Sequence, residues 1–170
     1  AIGSATKLVD YIQTMGKSYI GEMALGINTD TLDIWGKSIE SKEISLDKNK
    51  FFEVIKKYDN KKIMQLPPMY SALKKDGKRL YEYARAGIEV EREEREVEIY
   101  SLIILNFYEN KIRFEVSCSK GTYIRTLFND IASDTNNLSY MSSLCRNKYG
   151  MFKIEDSYSL ERLKTFNEDE

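Results

Sequence analysis

The sequence predicts an α+β fold, a mainly antiparallel sheet flanked by helices. Alternating apolar segments and segments of helical period both occur, but without the regular strand–helix–strand succession that builds a parallel sheet. Residues 97–108 and 111–117 are β-rich and separated only by Glu109-Asn110, a two-residue hairpin turn. A strand carrying Ile112, Phe114, Val116 and Cys118 then runs through Lys120-Gly121 into an apolar-periodic helix.

In chain order, residues 6–15 read as a short helix with Leu8, Val9 and Ile12 on one face and Gly16 as its stop. Tyr19, Gly21, Met23, Leu25 and Ile27 alternate with more exposed positions, a strand signal. Residues 28–33 are loop-like, and 35–44 suit an irregular strand. Asp47 caps a helix that presents Phe51, Phe52, Val54 and Ile55 and ends near Tyr58. Pro67-Pro68 marks a loop, because neither proline can donate to a sheet and Pro68 keeps Pro67 extended. Residues 79–86 form a helix stopped by Gly87. Residues 122–133 form the helix after Gly121, with Ile124, Leu127, Phe128 and Ile131 toward the core. Residues 141–154 add a strand and 159–164 a terminal helix.

The 170 residues suffice for one domain with a proper core. Charge is nearly balanced, 26 basic against 27 acidic side chains, so no global field announces nucleic acid. Its distribution is less even: residues 56–85 hold nine Lys or Arg against three Asp or Glu. Such a stretch suits phosphate contacts, or is simply a solvated helix and loop. With no histidine present, Ser-His and Cys-His catalysis and histidine metal sites are excluded. Cys118 and Cys145 lack zinc-ligand spacing and are expected as buried free thiols of a cytoplasmic protein. No signal peptide or membrane-length apolar run is visible, and no metal or membrane partner is expected.

The densest chemical signal is Ser119-Lys120-Gly121-Thr122-Tyr123-Ile124-Arg125. Glycine permits a positive φ and the close approach of a ligand. Free amides at the start of the helix, with Lys120 beside them, make an anion site, and Arg125 can grip a carboxylate or phosphate with both arms of its guanidinium. The plainer possibility is a helix start followed by a surface arginine.

Four blocks in order resemble the TruB family, the bacterial tRNA pseudouridine synthases acting on the T loop. They are Lys17-Ser18-Tyr19 through Leu25-Gly26; Gln65-Leu66-Pro67-Pro68-Met69-Tyr70-Ser71-Ala72 with Lys74, Gly77, Arg79, Tyr81, Tyr83, Ala84, Arg85 and Gly87; the residue 119–125 block; and Leu144-Cys145-Arg146 before Gly150-Met151-Phe152. The resemblance runs from Ala1 to about Leu163. It implies a pseudouridine-synthase-like mixed sheet, tRNA as partner, no cofactor, and isomerisation of uridine 55 of the T loop to pseudouridine. The target base must be flipped into a pocket. Tyr19 matches the aromatic that stacks on that base, Leu144 its apolar wall, and Arg125 the arginine paired with the catalytic aspartate. Tyr70, Lys74, Lys120, Gly121, Thr122, Tyr123 and Arg146 fall at substrate-binding positions. From the residues alone, Tyr19 reads as one strand aromatic among twelve tyrosines and Leu144 as plain core.

The family's nucleophilic aspartate belongs to a Gly-Thr-Leu-Asp type segment preceding the equivalent of Ala1. Thr31-Leu32-Asp33 repeats three of those letters, but it follows the Lys17–Tyr19 block instead of preceding it, and Asp33 is not assigned as the nucleophile. The chain is therefore expected to be a fragment, inactive alone and monomeric. Residues 1–165 would form the central and C-terminal part of the catalytic domain and 166–170 an acidic tail. A non-catalytic module gripping the tRNA T arm, and a structural domain whose basic loop meets an acidic protein, stand as alternatives.

Overall fold

The computed structural model of the chain describes residues 3–165, so the acidic tail expected at 166–170 lies outside the described residues. A 3-10 turn, Gly3–Leu8, leads into α1 (Val9–Thr14). Then come β1 (Lys17–Leu25), β2 (Ile27–Thr29), β3 (Ser38–Ser41), α2 (Lys48–Tyr58) and β4 (Lys61–Gln65). A small hairpin, β5 (Lys74–Lys75) and β6 (Lys78–Arg79), runs into α3 (Leu80–Arg85). The long hairpin β7 (Arg95–Tyr108) and β8 (Lys111–Cys118) precedes α4 (Ile124–Asp134). β9 (Ser139–Tyr149), β10 (Phe152–Lys153) and α5 (Leu160–Leu163) follow.

Six strands form one sheet in the order β10-β9-β1-β8-β7-β4, and every paired neighbour is antiparallel. The one parallel contact among the described residues is an isolated bridge between Asp33 and Met141. The fold is thus α+β with the antiparallel bias that the sequence predicts. Register decides which face is apolar. Ile99 opposes Cys118, Leu102 opposes Val116, Ile104 opposes Phe114 and Phe107 opposes Ile112, so these residues line one face. α2 and α4 cover that face. Phe51 meets Phe107 edge-on with ring centres 6.0 Å apart, and Phe128 lies over Phe114 at 5.0 Å. Phe51, Phe114, Phe128, Leu127 and Ile131 are fully buried there.

Local signals operate where the sequence places them. The Asp47 carboxylate accepts from the amides of Asn49 and Lys50, satisfying two donors at the start of α2. The two-residue hairpin turn has Glu109 at φ 51°, and Gly87 stops α3 with φ 69°. One expectation is corrected. Cys118 is buried, but Cys145 is exposed. Leu144 opposes Gly21 on the helix-covered face, so its neighbour Cys145, opposite Ile20, must point to the other face.

Candidate active site

The helix after Gly121 begins two residues later than the sequence suggests, and the reason bears on the site. Gly121 turns the chain with φ 85°, the Thr122 hydroxyl donates back to the Ser119 carbonyl at 3.0 Å, and Tyr123 stays extended as the N-cap of α4. The Tyr123 amide is not free for an anion: it donates to Gln65 Oε1 at 2.8 Å. Arg125 is consequently the second residue of α4.

Arg125 reaches three acceptors on two other loops. Nη1 donates to the Thr31 carbonyl at 2.8 Å and to Asp33 Oδ2 at 3.1 Å, and Nη2 donates to the Tyr70 carbonyl at 2.7 Å. Arg125 and Asp33 retain only 20% and 17% of their side-chain exposure, so solvent screens this pair weakly. Asp33 is itself fixed: its Oδ1 accepts from the Thr31 hydroxyl at 2.7 Å and from the Trp35 amide at 3.0 Å. The loop carrying it is built tightly, since a Cβ on Gly36 would fall 2.3 Å from Thr31 Oγ1. Backbone bonds Ile34 N to Met141 O and Met141 N to Leu32 O tie the loop to β9.

Tyr19 and Gly21 share the helix-covered face of β1. A Cβ on Gly21 would lie 2.9 Å from the Phe128 ring and 3.0 Å from Leu144 Cδ1. Leu144 and Phe128 of α4 therefore meet over Gly21, beside Tyr19 and one helical turn from Arg125. Leu144 is 40% exposed, so it is not plain core. Burial raises the Tyr19 phenol above its ordinary pKa, with Cys118 adding and the Arg146 guanidinium opposing. The phenol is thus protonated at neutral pH. Burial likewise raises the Cys118 thiol, which removes it as a nucleophile.

Arg146 opposes Tyr19 across the β1–β9 ladder and lies 4.9 Å from the centre of the Tyr149 ring, which Lys17 Nζ approaches at 4.7 Å. Lys17, Tyr149, Lys120, Gly121 and Tyr123 line one open cavity of about 1260 Å³, with α1 on its far side. Lys74, on the exposed β5–β6 hairpin, does not line it but an adjoining hollow of about 220 Å³, with Arg92 and with Arg95, which lines both. Tyr70 reaches Arg125 through its carbonyl alone.

Residues 1–124 match the family model described as TruB family pseudouridylate synthase, N terminal domain. The chain belongs to the TruB family. It is similar to tRNA pseudouridine synthase B of Clostridium kluyveri, 45% identical over 166 residues, covering 98% of this chain and 57% of that protein. The Listeria welshimeri protein of the same name is 44% identical over 168 residues, covering 95% of this chain and 55% of the relative. The chain thus spans a little over half the length of the curated relatives it matches. Among solved structures, a chain of a Cbf5-Nop10-Gar1 complex superposes with TM-score 0.66 at 25% identity, over 91% of this chain and 36% of that one. A chain of an H/ACA RNP bound to a substrate RNA containing 2'-deoxyuridine shares the fold at TM-score 0.61 and 21% identity, over 91% and 34% of the two chains.

Two residues of this TruB-family chain that the sequence left unassigned join the site. Asp33 is the carboxylate that pairs with Arg125, and Gln65 holds the residue before α4. The close spacing of Asp30, Thr31, Asp33 and Gly36 signals a self-bonded loop. Gln65 opens the residue 65–72 block, but nothing local says that either residue reaches α4. Among the described residues no cluster of His, Cys, Asp and Glu is fit to hold a metal ion. Nor is any described helix long and apolar enough to cross a membrane.

Proposed function

We propose that this chain is the part of a tRNA pseudouridine synthase that receives a flipped uridine of the T loop, uridine 55, and converts it to pseudouridine. The protein would work as a cytoplasmic monomer, without metal or cofactor. The observation that carries the proposal is Arg125, a mostly buried guanidinium fixed by three acceptors on the side of the sheet that carries Tyr19 and Leu144. An arginine so constrained is suited to aiming one carboxylate, because little conformational freedom is left to lose when the pair forms.

In this scheme the Tyr19 ring replaces the stacking that uracil loses on flipping, and Leu144 closes the apolar side. A carboxylate then assists cleavage of the C1′–N1 bond, the uracil turns, and C5 bonds to C1′; the C5 proton leaves and N1, freed from the ribose, takes up a proton, so the product is an isomer of the substrate. Asp33 serves as Arg125's anchor rather than as that nucleophile. Both its oxygens already accept from Thr31, Trp35 and Arg125, and an attack would dismantle the loop that holds it. Lys17 and Lys120 line the neighbouring cavity and Arg146 stacks on its Tyr149 wall, cations suited to the phosphates that flank a flipped nucleotide.

The test is tritium release from tRNA labelled at C5 of uridine, using the full-length protein. Release that disappears when the T-loop uridine is replaced by cytidine is the expected result. Tight, salt-dependent tRNA binding without release would instead identify a non-catalytic RNA-binding module.

A further inference from the structure

Gln65 is the last residue of β4, opposite Arg95 of β7, and is 2% exposed. A glutamine so deeply buried must satisfy both ends of its amide. It does so on one residue: Nε2 donates to the Tyr123 carbonyl at 3.1 Å while Oε1 accepts from the Tyr123 amide at 2.8 Å. The side chain thus imitates one rung of a strand ladder, laid across 58 residues of sequence. Tyr123 is the N-cap of α4 and makes no side-chain capping bond of its own. The N-cap's own amide, which the N3 Glu or Gln of a capping box would hold locally, is held here from another strand.

Arg125 lies two residues beyond that rung. From Gln65 the chain continues through Pro67-Pro68, which restrict its backbone, to Tyr70, whose carbonyl accepts from Arg125 Nη2. Residues 65–70 therefore hold residues 123–125 at two points, the backbone of the cap and the tip of the guanidinium. The other holds on the guanidinium, the Thr31 carbonyl and Asp33, sit on a loop anchored independently, where Asp33 accepts from the Trp35 amide and the Thr31 hydroxyl. Removing the Gln65 rung would let the start of α4 shift against an Asp33 loop that stays in place.

We propose that Gln65 is a positioning residue for Arg125: it sets the backbone from which the guanidinium reaches Asp33 and aims the reactive carboxylate. The role rests on the proposed function, because its consequence is read in turnover.

The experiment uses the full-length protein and its tRNA. Gln65→Met keeps length and apolar volume but removes both bonds. Gln65→Glu keeps the bond to the Tyr123 amide and loses the one to its carbonyl. Misplacing a reacting group by about 1 Å costs up to a hundredfold in rate, so kcat should fall between about tenfold and a hundredfold in Gln65→Met, and at least as far in Gln65→Glu, which turns a buried carboxylate oxygen toward the Tyr123 carbonyl. KM for tRNA should stay within about threefold, because affinity is spread over many phosphate contacts. The deciding readout is the double variant. Combined with Arg125→Lys, Gln65→Met should lower kcat little further, since residues acting as one unit are not additive. An equal fold-loss with and without Arg125→Lys, or a Gln65→Met kcat equal to wild type, overturns the role. If Gln65→Met does not fold, Gln65→Glu decides by the same comparison. A wild type without turnover overturns the proposed function itself and this role with it, whereas an active wild type indifferent to Gln65 overturns this role alone.

Discussion

Arg125 Nη1 and Asp33 Oδ2 stand 3.1 Å apart, joining the first turn of α4 to a loop 92 residues earlier in the chain. Two carbonyls complete the guanidinium's hold and two donors complete the carboxylate's. The pair belongs to a network with few unused bonds, which makes it rigid.

Asp33→Ala should therefore cost more than a surface ion pair. It strips acceptors from the Trp35 amide and the Thr31 hydroxyl as well as from Arg125, a loss of about 1–3 kcal/mol. Asp33→Asn, which retains an oxygen for the loop donors, should cost less. Urea unfolding of the 170-residue chain measures both, and equal stabilities would show the loop indifferent to Asp33.

Gly21 tests the meeting of Leu144 with Phe128. An alanine methyl there would crowd both at 2.9–3.0 Å, so Gly21→Ala should destabilise the chain by about 1–3 kcal/mol through overpacking. At Gly121 the space for a Cβ is open and the strain is only that of φ 85°, so Gly121→Ala should cost about 1 kcal/mol. Thermal or urea unfolding that reversed this order would contradict the packing of α4 on β1.

The Asp130 carboxyl is pushed up to about 6 by burial, with Asp134 adding. Its folded pKa lies above its ordinary value of 3.8, so between those values the folded chain binds a proton that the unfolded chain releases. Its contribution thus declines as pH rises from about 4 to about 6 and remains unfavourable above. Asp130→Asn should stabilise the chain at pH 8 by about 1 kcal/mol after discounting for solvent, and the gain should vanish near pH 4. A pH series of urea midpoints checks the sign, and a gain that persists at pH 4 would rule out the carboxyl as its source.

Lys74, Lys78 and Arg79 are exposed on the β5–β6 hairpin. Arg79 and Arg85 flank the Tyr81 ring at 5.8 and 5.3 Å, a surface suited to holding an RNA backbone. Charge reversal at the three positions should weaken tRNA binding and lower the salt slope by about one for each phosphate no longer neutralised. An unchanged slope in a salt titration would show side chains that are merely solvated.

Much of this was legible because its causes are local. The Asp47 cap, the hairpin turn at Glu109-Asn110 and the strand–Gly121–helix junction depend on residues a few positions apart. What stayed hidden depends on register or distance. β4 reads Lys61-Lys62-Ile63-Met64-Gln65, too polar to announce a strand, and it becomes one only as an edge against β7. The exposure of Cys145 follows from which residue opposes Gly21, which periodicity alone does not fix. The Gln65–Tyr123 and Asp33–Arg125 bonds join segments 58 and 92 residues apart, beyond any local pattern.

The most direct measurement is turnover by full-length Arg125→Ala, taken together with its tRNA affinity. If the guanidinium aims the reactive carboxylate, pseudouridine formation should fall by about a hundredfold or more while Kd stays within about threefold. An Arg125→Ala protein that modifies tRNA at the wild-type rate, or loses rate only as far as it loses affinity, would contradict a catalytic site built around Arg125.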